Sequence, residues 1–209
     1  MYAPDFPSHT LDTLIEQIEQ HGLAVIDNAI PCDLTEQLLA ECLTQQTSFK
    51  PAGIGREAGN QLDSNIRSDK TKWFDSQSLV QQHYLSLMEK LRNIINQHFY
   101  LGLFDYEAHY ATYQVGDFYK KHLDAFRGRS NRVFTTVFYL NSPEGGELVI
   151  YKPKSKDVLT TIKPKAGTLV LFVSEEFAHE VLPALGPRHS IAGWFRKNTS
   201  SHNYIDPAS

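Results

Sequence analysis

"RVFTTVFYLNSPEGGELVIYK", residues 132 to 152, decides the fold class. β-Branched and aromatic residues crowd Val133 to Tyr139, a composition that suits a short strand. Ser142 to Gly146 is then turn chemistry, and Leu148 to Tyr151 resumes the strand pattern. The same rhythm runs outward in both directions. Downstream lie "KDVLTTIK" (156 to 163), the turn "KPKAG" (163 to 167), "GTLVLFV" (167 to 173), "AHEVLPA" (178 to 184) and "HSIAGWFRK" (189 to 197). Upstream lie "YEAHYATYQ" (106 to 114) and "DFYKKHLD" (117 to 124). Many short strands at close spacing predict a β-sandwich or barrel over 105–197.

The first hundred residues read differently. Thr10 caps a helix carrying Leu11, Leu14, Ile15 and Ile18, "GLAVID" (22 to 27) is a short buried strand, and Pro31 opens a second helix with Leu34, Leu38, Leu39 and Leu43. A third helix spans about Ser78 to Phe99, with Leu85, Met88, Leu91 and Ile95 on one face. Between them "KPAGIGREAGNQLDSNIRSDKTKWFD" (50 to 75) is glycine-rich, charged and too long for an ordinary connection, which marks it as a functional loop. The expectation is a single α+β domain over 1–209, with helical support and the loop in 1–104 and a loose tail from Thr199.

Bulk properties narrow the function. Charged residues make up 21% and hydrophobic ones 41% of 209 residues, as in an ordinary globular protein. A net charge of −4 argues against nonspecific nucleic-acid binding. Cys32 and Cys42 are the only cysteines, which excludes a disulfide framework and points to a reducing compartment. "MYAPDFPSHT" has no secretory pattern and no apolar run is long enough to span a bilayer, so a cytoplasmic protein with no membrane partner is expected.

In an extended chain His122 and Asp124 project from one face, with Leu123 opposite. His179, on a later strand, is the natural third ligand; His189 is expected to point outward. Two imidazoles and one carboxylate form the facial triad of non-haem Fe(II) oxygenases, which leaves three coordination positions open. Arg188 follows His179 by nine residues, and its forked guanidinium suits the distal carboxylate of a 2-oxo acid co-substrate. A lone HxD pair is common in any chain; the ordered set of HxD, distant His and Arg is specific.

These residues resemble the 2-oxoglutarate and Fe(II)-dependent oxygenases, and among them the prolyl hydroxylases of the hypoxia-sensing type. "YQVGDFYKKHLD", "RVFTTVFYLN", "GGELVIY" and "HEVLPALGPRHSIAGWF" are similar to that family's core segments, and "IRSDKTKWFD" (66 to 75) resembles its IRGDxxxW segment, with Ser68 in place of glycine. The resemblance implies a double-stranded β-helix (jelly-roll, cupin-like) core with N-terminal packing helices. It implies that His122, Asp124 and His179 bind Fe(II) and that Arg188 and Tyr139 hold 2-oxoglutarate, with Tyr113, Thr135, Leu148 and Trp194 lining the pocket. Arg132, Arg67, Asp69 and Trp73 would face the substrate, and the segment before "IRSD" would fold over it. Succinate and CO2 would be co-products, O2 the co-substrate and L-ascorbate an accessory reductant. The implied acceptor is a proline in an intracellular protein, with elongation factor Tu suggested by bacterial relatives, acted on by a monomer. A small molecule or another residue type as acceptor is the alternative. A metal-binding β-barrel that serves as a sensor without turnover is a third reading, and the full set with Arg188 argues against it.

Overall fold

The computed structural model describes residues 4–53, 62–75, 77–125 and 131–198. Most of "GIGREAGNQLD", the 126–130 part of "AFRGRSNR" and the tail from Thr199 lie outside the described residues. Two antiparallel sheets face each other, as in a double-stranded β-helix. The major sheet has the order β1-β9-β6-β11-β4-β3-β2 and the minor sheet β5-β10-β7-β8. In chain order these strands are β1 (Leu23–Ile26), β2 (Lys50–Pro51), β3 (Lys70–Trp73), β4 (Leu103–Tyr113), β5 (Tyr119–His122), β6 (Arg132–Tyr139), β7 (Leu148–Tyr151), β8 (Val158–Ile162), β9 (Leu169–Val173), β10 (His179–Val181) and β11 (Arg188–Lys197). Three α-helices, α1 (Thr10–His21), α2 (Cys32–Thr44) and α3 (Leu79–Phe99), and a short 3-10 turn at Gln46–Ser48 complete the described elements.

Strand periodicity explains the layering. Alternate residues point to opposite sheet faces, and the major sheet buries both. Phe134 and Phe138 of β6, Leu169 and Leu171 of β9, and Ile191 and Phe195 of β11 join the helices in one core. Val137, Tyr139, Val170 and Phe172 take the other face and meet Leu148, Ile150 and Val181 of the minor sheet in a second core. The major sheet is thus a partition with helices behind it and a pocket in front.

The helices fit the first core through one stripe each. On α3 the stripe is Tyr84, Leu87, Met88, Leu91 and Ile95, all fully buried, and each such aliphatic side chain contributes about 1.5–3 kcal/mol by leaving water. Ser78 Oγ accepts from the Gln81 amide and caps the helix start. Helix α1 ends at Gly22, whose positive φ of 67° lets its amide reach the Ile18 carbonyl.

Several expectations need correction. Thr10 is the first helical residue; His9 holds the cap position and its side chain makes no capping bond. Leu43 is exposed because the buried α2 stripe runs through Leu34, Leu38 and Cys42, and Leu85 is only partly buried because the α3 stripe runs through Tyr84 and Leu87. The 50–75 stretch contains β2 and β3, which extend the major sheet at its edge. His189 is buried beneath α2, where Thr112 Oγ1 lies 3.0 Å from its Nδ1 and Cys42 Sγ 3.8 Å.

Candidate active site

Sheet register brings the distant histidines together. β10 lies between β5 and β7, and His179 sits directly opposite His122. Strand β5 ends at His122, so Asp124 lies in the bend beyond it rather than on an extended chain. Its carboxylate nevertheless returns to the same space: Oδ1 is 3.4 Å from His122 Nε2, and Oδ2 is 3.6 Å from His179 Nε2. The ligand atoms of the three residues all lie within 4.8 Å of one another.

Hydrogen bonds fix which nitrogen faces inward. Nδ1 of His122 is 2.8 Å from the Lys120 carbonyl, and Nδ1 of His179 is 3.1 Å from the Phe177 carbonyl. A carbonyl only accepts, so each Nδ1 carries a proton and Nε2 is the ring atom turned toward the cluster. Burial, reinforced by His122, pushes the His179 imidazole down to about 4. Burial opposes ionisation of Asp124, but the imidazoles and Arg132 outweigh it and hold the carboxyl well below the usual range. Both Nε2 atoms and the Asp124 carboxylate therefore converge on one space, and a divalent cation is what such a cluster accommodates. Two imidazoles and a carboxylate suit ferrous iron.

Asp124 Oδ2 accepts from Thr135 Oγ1 at 2.8 Å and from Trp194 Nε1 at 2.9 Å. Thr135 and Trp194 are register partners on β6 and β11, which explains their convergence. Ser174 lies 2.9 Å from Thr135 and orients that hydroxyl. These donors occupy Oδ2 and leave Oδ1 with lone pairs free for a metal.

The same cavity ends in a buried cation. Arg188 is 2% exposed, with its guanidinium 4.7 Å from the Tyr113 ring centre and 5.0 Å from that of Tyr139. Nη1 donates to Ser190 Oγ at 3.0 Å, while Arg188 Nε and the Tyr139 hydroxyl have no hydrogen-bond partner among the described residues. No carboxylate pairs with Arg188 among the described residues. A buried charge left unpaired costs several kcal/mol, so these two orphaned atoms fit an anion such as the distal carboxylate of 2-oxoglutarate. Gly146 makes room for the arginine: a Cβ there would sit 2.8 Å from Arg188 Cδ.

Of the sequence-predicted residues, His122, Asp124, His179, Arg188, Tyr113, Thr135, Leu148, Trp194, Arg132, Arg67 and Trp73 line one cavity. Tyr139 lies fully buried in the inter-sheet core beside Arg188. Asp69 is 1% exposed and its carboxylate is taken by Arg67, so any approach to a substrate runs through that arginine. His109 escaped the sequence reading. It forms an aromatic wall with Trp73 and Trp194, at ring separations of 4.9 and 5.4 Å. Its only sequence signal was strand parity with Ala111 and Tyr113.

Residues 108–196 match the 2OG-Fe(II) oxygenase superfamily. A Pseudomonas putida prolyl-4-hydroxylase structure is 37% identical, with a TM-score of 0.80, over 90% of this chain and 98% of that one. A prolyl hydroxylase solved in complex with a hypoxia inducible factor oxygen degradation domain peptide from Trichoplax adhaerens is 26% identical, with a TM-score of 0.75, over 90% and 89% of the two chains. A PKHD-type hydroxylase of Prochlorococcus marinus is 25% identical over 191 residues, 87% of this chain and 81% of that protein.

Proposed function

We propose, from the premise that the chain belongs to the 2OG-Fe(II) oxygenase superfamily, that it hydroxylates a prolyl residue of a protein substrate. The observation that carries this reading is the single cavity with the His122–Asp124–His179 cluster and the orphaned Arg188–Tyr139 pair. Likeness to the P. putida prolyl-4-hydroxylase along nearly the whole of both chains supports proline as the acceptor.

Bound Fe(II), with 2-oxoglutarate and O2, would supply the oxidation, yielding succinate, CO2 and a hydroxylated carbon. His122, Asp124 and His179 are the ligands in this reading. Arg188 and the Tyr139 hydroxyl hold the distal carboxylate of 2-oxoglutarate, which Tyr113 and Leu148 flank. Burial raises the Tyr139 pKa, so its hydroxyl stays a donor at neutral pH. Thr135 and Trp194 hold the Asp124 carboxylate, and the apolar second core packs along the cavity through Ala111, Val137, Leu148 and Val181. Trp73, half exposed, stands at the rim with Arg67 and Arg132, where a peptide would enter. Elongation factor Tu is the acceptor we favour, in the cytoplasm, with L-ascorbate as accessory reductant and the enzyme acting as a monomer. No described helix is long and apolar enough to cross a membrane.

The test is mass spectrometry of elongation factor Tu, and then of a whole lysate, after incubation with the protein, Fe(II) and 2-oxoglutarate. One added oxygen on a proline, absent with Asp124→Ala, is expected. Succinate formation with no modified proline would retain the oxygenase and replace the prolyl acceptor by a small molecule or another residue type.

A further inference from the structure

Two of the three candidate ligands have weak backbone support. His179 lies on β10, paired on both sides. His122 ends the four-residue edge strand β5, whose outer side is met by the 66–68 segment. Asp124 lies beyond any strand. A metal centre needs its ligands held to within about half an ångström, so these two require bracing from side chains.

Each has a column of the same construction behind it. Behind His122, the Tyr119 ring stacks at 3.6 Å and 16°, and the Arg67 guanidinium covers Tyr119 at 4.1 Å. Asp69 grips Arg67 through two bonds of 2.8 and 2.6 Å. Behind Asp124 stands Trp194, whose indole N–H it accepts, and the Arg132 guanidinium lies 3.5 Å from the Trp194 ring. Glu107 Oε1 holds Arg132 Nε and Nη2, each at 2.7 Å. Carboxylate, guanidinium, aromatic ring and ligand recur in that order twice.

We propose that Asp69–Arg67 and Glu107–Arg132 are positioning pairs for the metal site, each pressing a planar guanidinium against the ring that fixes one ligand. The inference rests on the metal-centre reading above. Charge-assisted forks hold the guanidinium plane, and its contact with the ring is both stacking and cation–π attraction. Glu107 pairs with Arg132 and Arg196 rather than with any of the three ligands; it acts through two intervening side chains. Lysine cannot replace either arginine in this role, because a compact ammonium has no plane to stack.

The test titrates Co(II) alone into metal-free protein, following its visible absorption, and then measures metal loss to excess chelator. Wild type, Glu107→Gln, Arg132→Lys, Asp69→Asn and Arg67→Lys are compared, with circular dichroism and urea unfolding of each metal-free form as a control on folding. Removal of such outer supports costs about 10–100-fold in metal affinity. We expect at least tenfold weaker Co(II) binding and faster loss in Glu107→Gln and Arg132→Lys, with an intact metal-free fold. Should Asp69→Asn fail to fold, Arg67→Lys tests that column. Affinity within twofold of wild type in Glu107→Gln and Arg67→Lys overturns the proposal. Full affinity in Arg132→Lys does so too, because charge alone would then suffice. A wild-type protein that binds no Co(II) removes the metal-centre reading and this inference together.

Discussion

Gly146 is small because Arg188 is large. Its φ of +67° and the 2.8 Å approach of Arg188 Cδ leave no place for a methyl group. Gly146→Ala should therefore displace the guanidinium and raise the KM for 2-oxoglutarate by about tenfold, roughly 1.4 kcal/mol. Co(II) affinity should stay unchanged; steady-state kinetics and a metal titration check the pair of outcomes. Gly193 has the opposite address. A Cβ there would meet Tyr106 Oη at 2.0 Å on the helix side of the sheet, so Gly193→Ala should cost about 1–3 kcal/mol in urea unfolding through overpacking. Tyr139 entered only through the family resemblance, whereas the His122, Asp124, His179 and Arg188 set, which the structure brings to one cavity, was legible as an ordered combination of residue types. His109, Tyr119 and Glu107 were not, because their partners come from other strands: Trp73 stands opposite His109 and Trp194 opposite Glu107.

Among elements, the attachment of α2 and α3 to the sheet turns on one carboxylate. Glu41 of α2 accepts from Ser78 Oγ, from Gln81 Nε2 at 2.5 Å and from Tyr110 Oη at 3.2 Å. Glu41→Ala removes all three bonds and leaves Gln81, which is fully buried, short of an acceptor. A loss of about 1–3 kcal/mol is expected in urea unfolding, with Co(II) affinity unchanged in the folded protein. Each of the eight C-terminal strands was legible from β-branched and aromatic runs between turns. Strand β3 was not. Its sequence, Lys70-Thr71-Lys72-Trp73, has no buried side chain to give it a period, and its strand character comes from pairing with β4. The two-residue β2 is too short to leave a signal.

At the scale of the whole molecule, burial of histidines on both sides of the major sheet sets the response to acid. Burial pushes His109 and His179 down to about 4 from 6.5, and it lowers His189 as well. The unfolded chain then binds more protons than the folded one between about pH 6.5 and 4. The histidines' contribution to stability is complete above that window and is lost as the pH falls through it. His109 alone contributes on the order of 3 kcal/mol to that loss. Urea midpoints of the metal-free protein should be flat between about pH 7 and 8, below the range where the buried Cys42 and tyrosines begin to count, and decline below 6.5, with a shallower decline in His109→Phe. The three-layer plan follows from strand parity, which the sequence displays. Closure of the minor sheet by a His179–His122 pairing across 57 positions does not, since nothing local encodes it. The long strand β11 serves both sides of the partition at once: Arg188, Ser190 and Trp194 face the pocket, while His189, Ile191 and Phe195 face the helices. Removing one codon from its middle would exchange these roles for every residue on one side of the cut. In a scan of in-frame single-codon deletions, β11 should therefore be a continuous intolerant block, whereas the Lys152–Asp157 turn beyond β7 should accept losses.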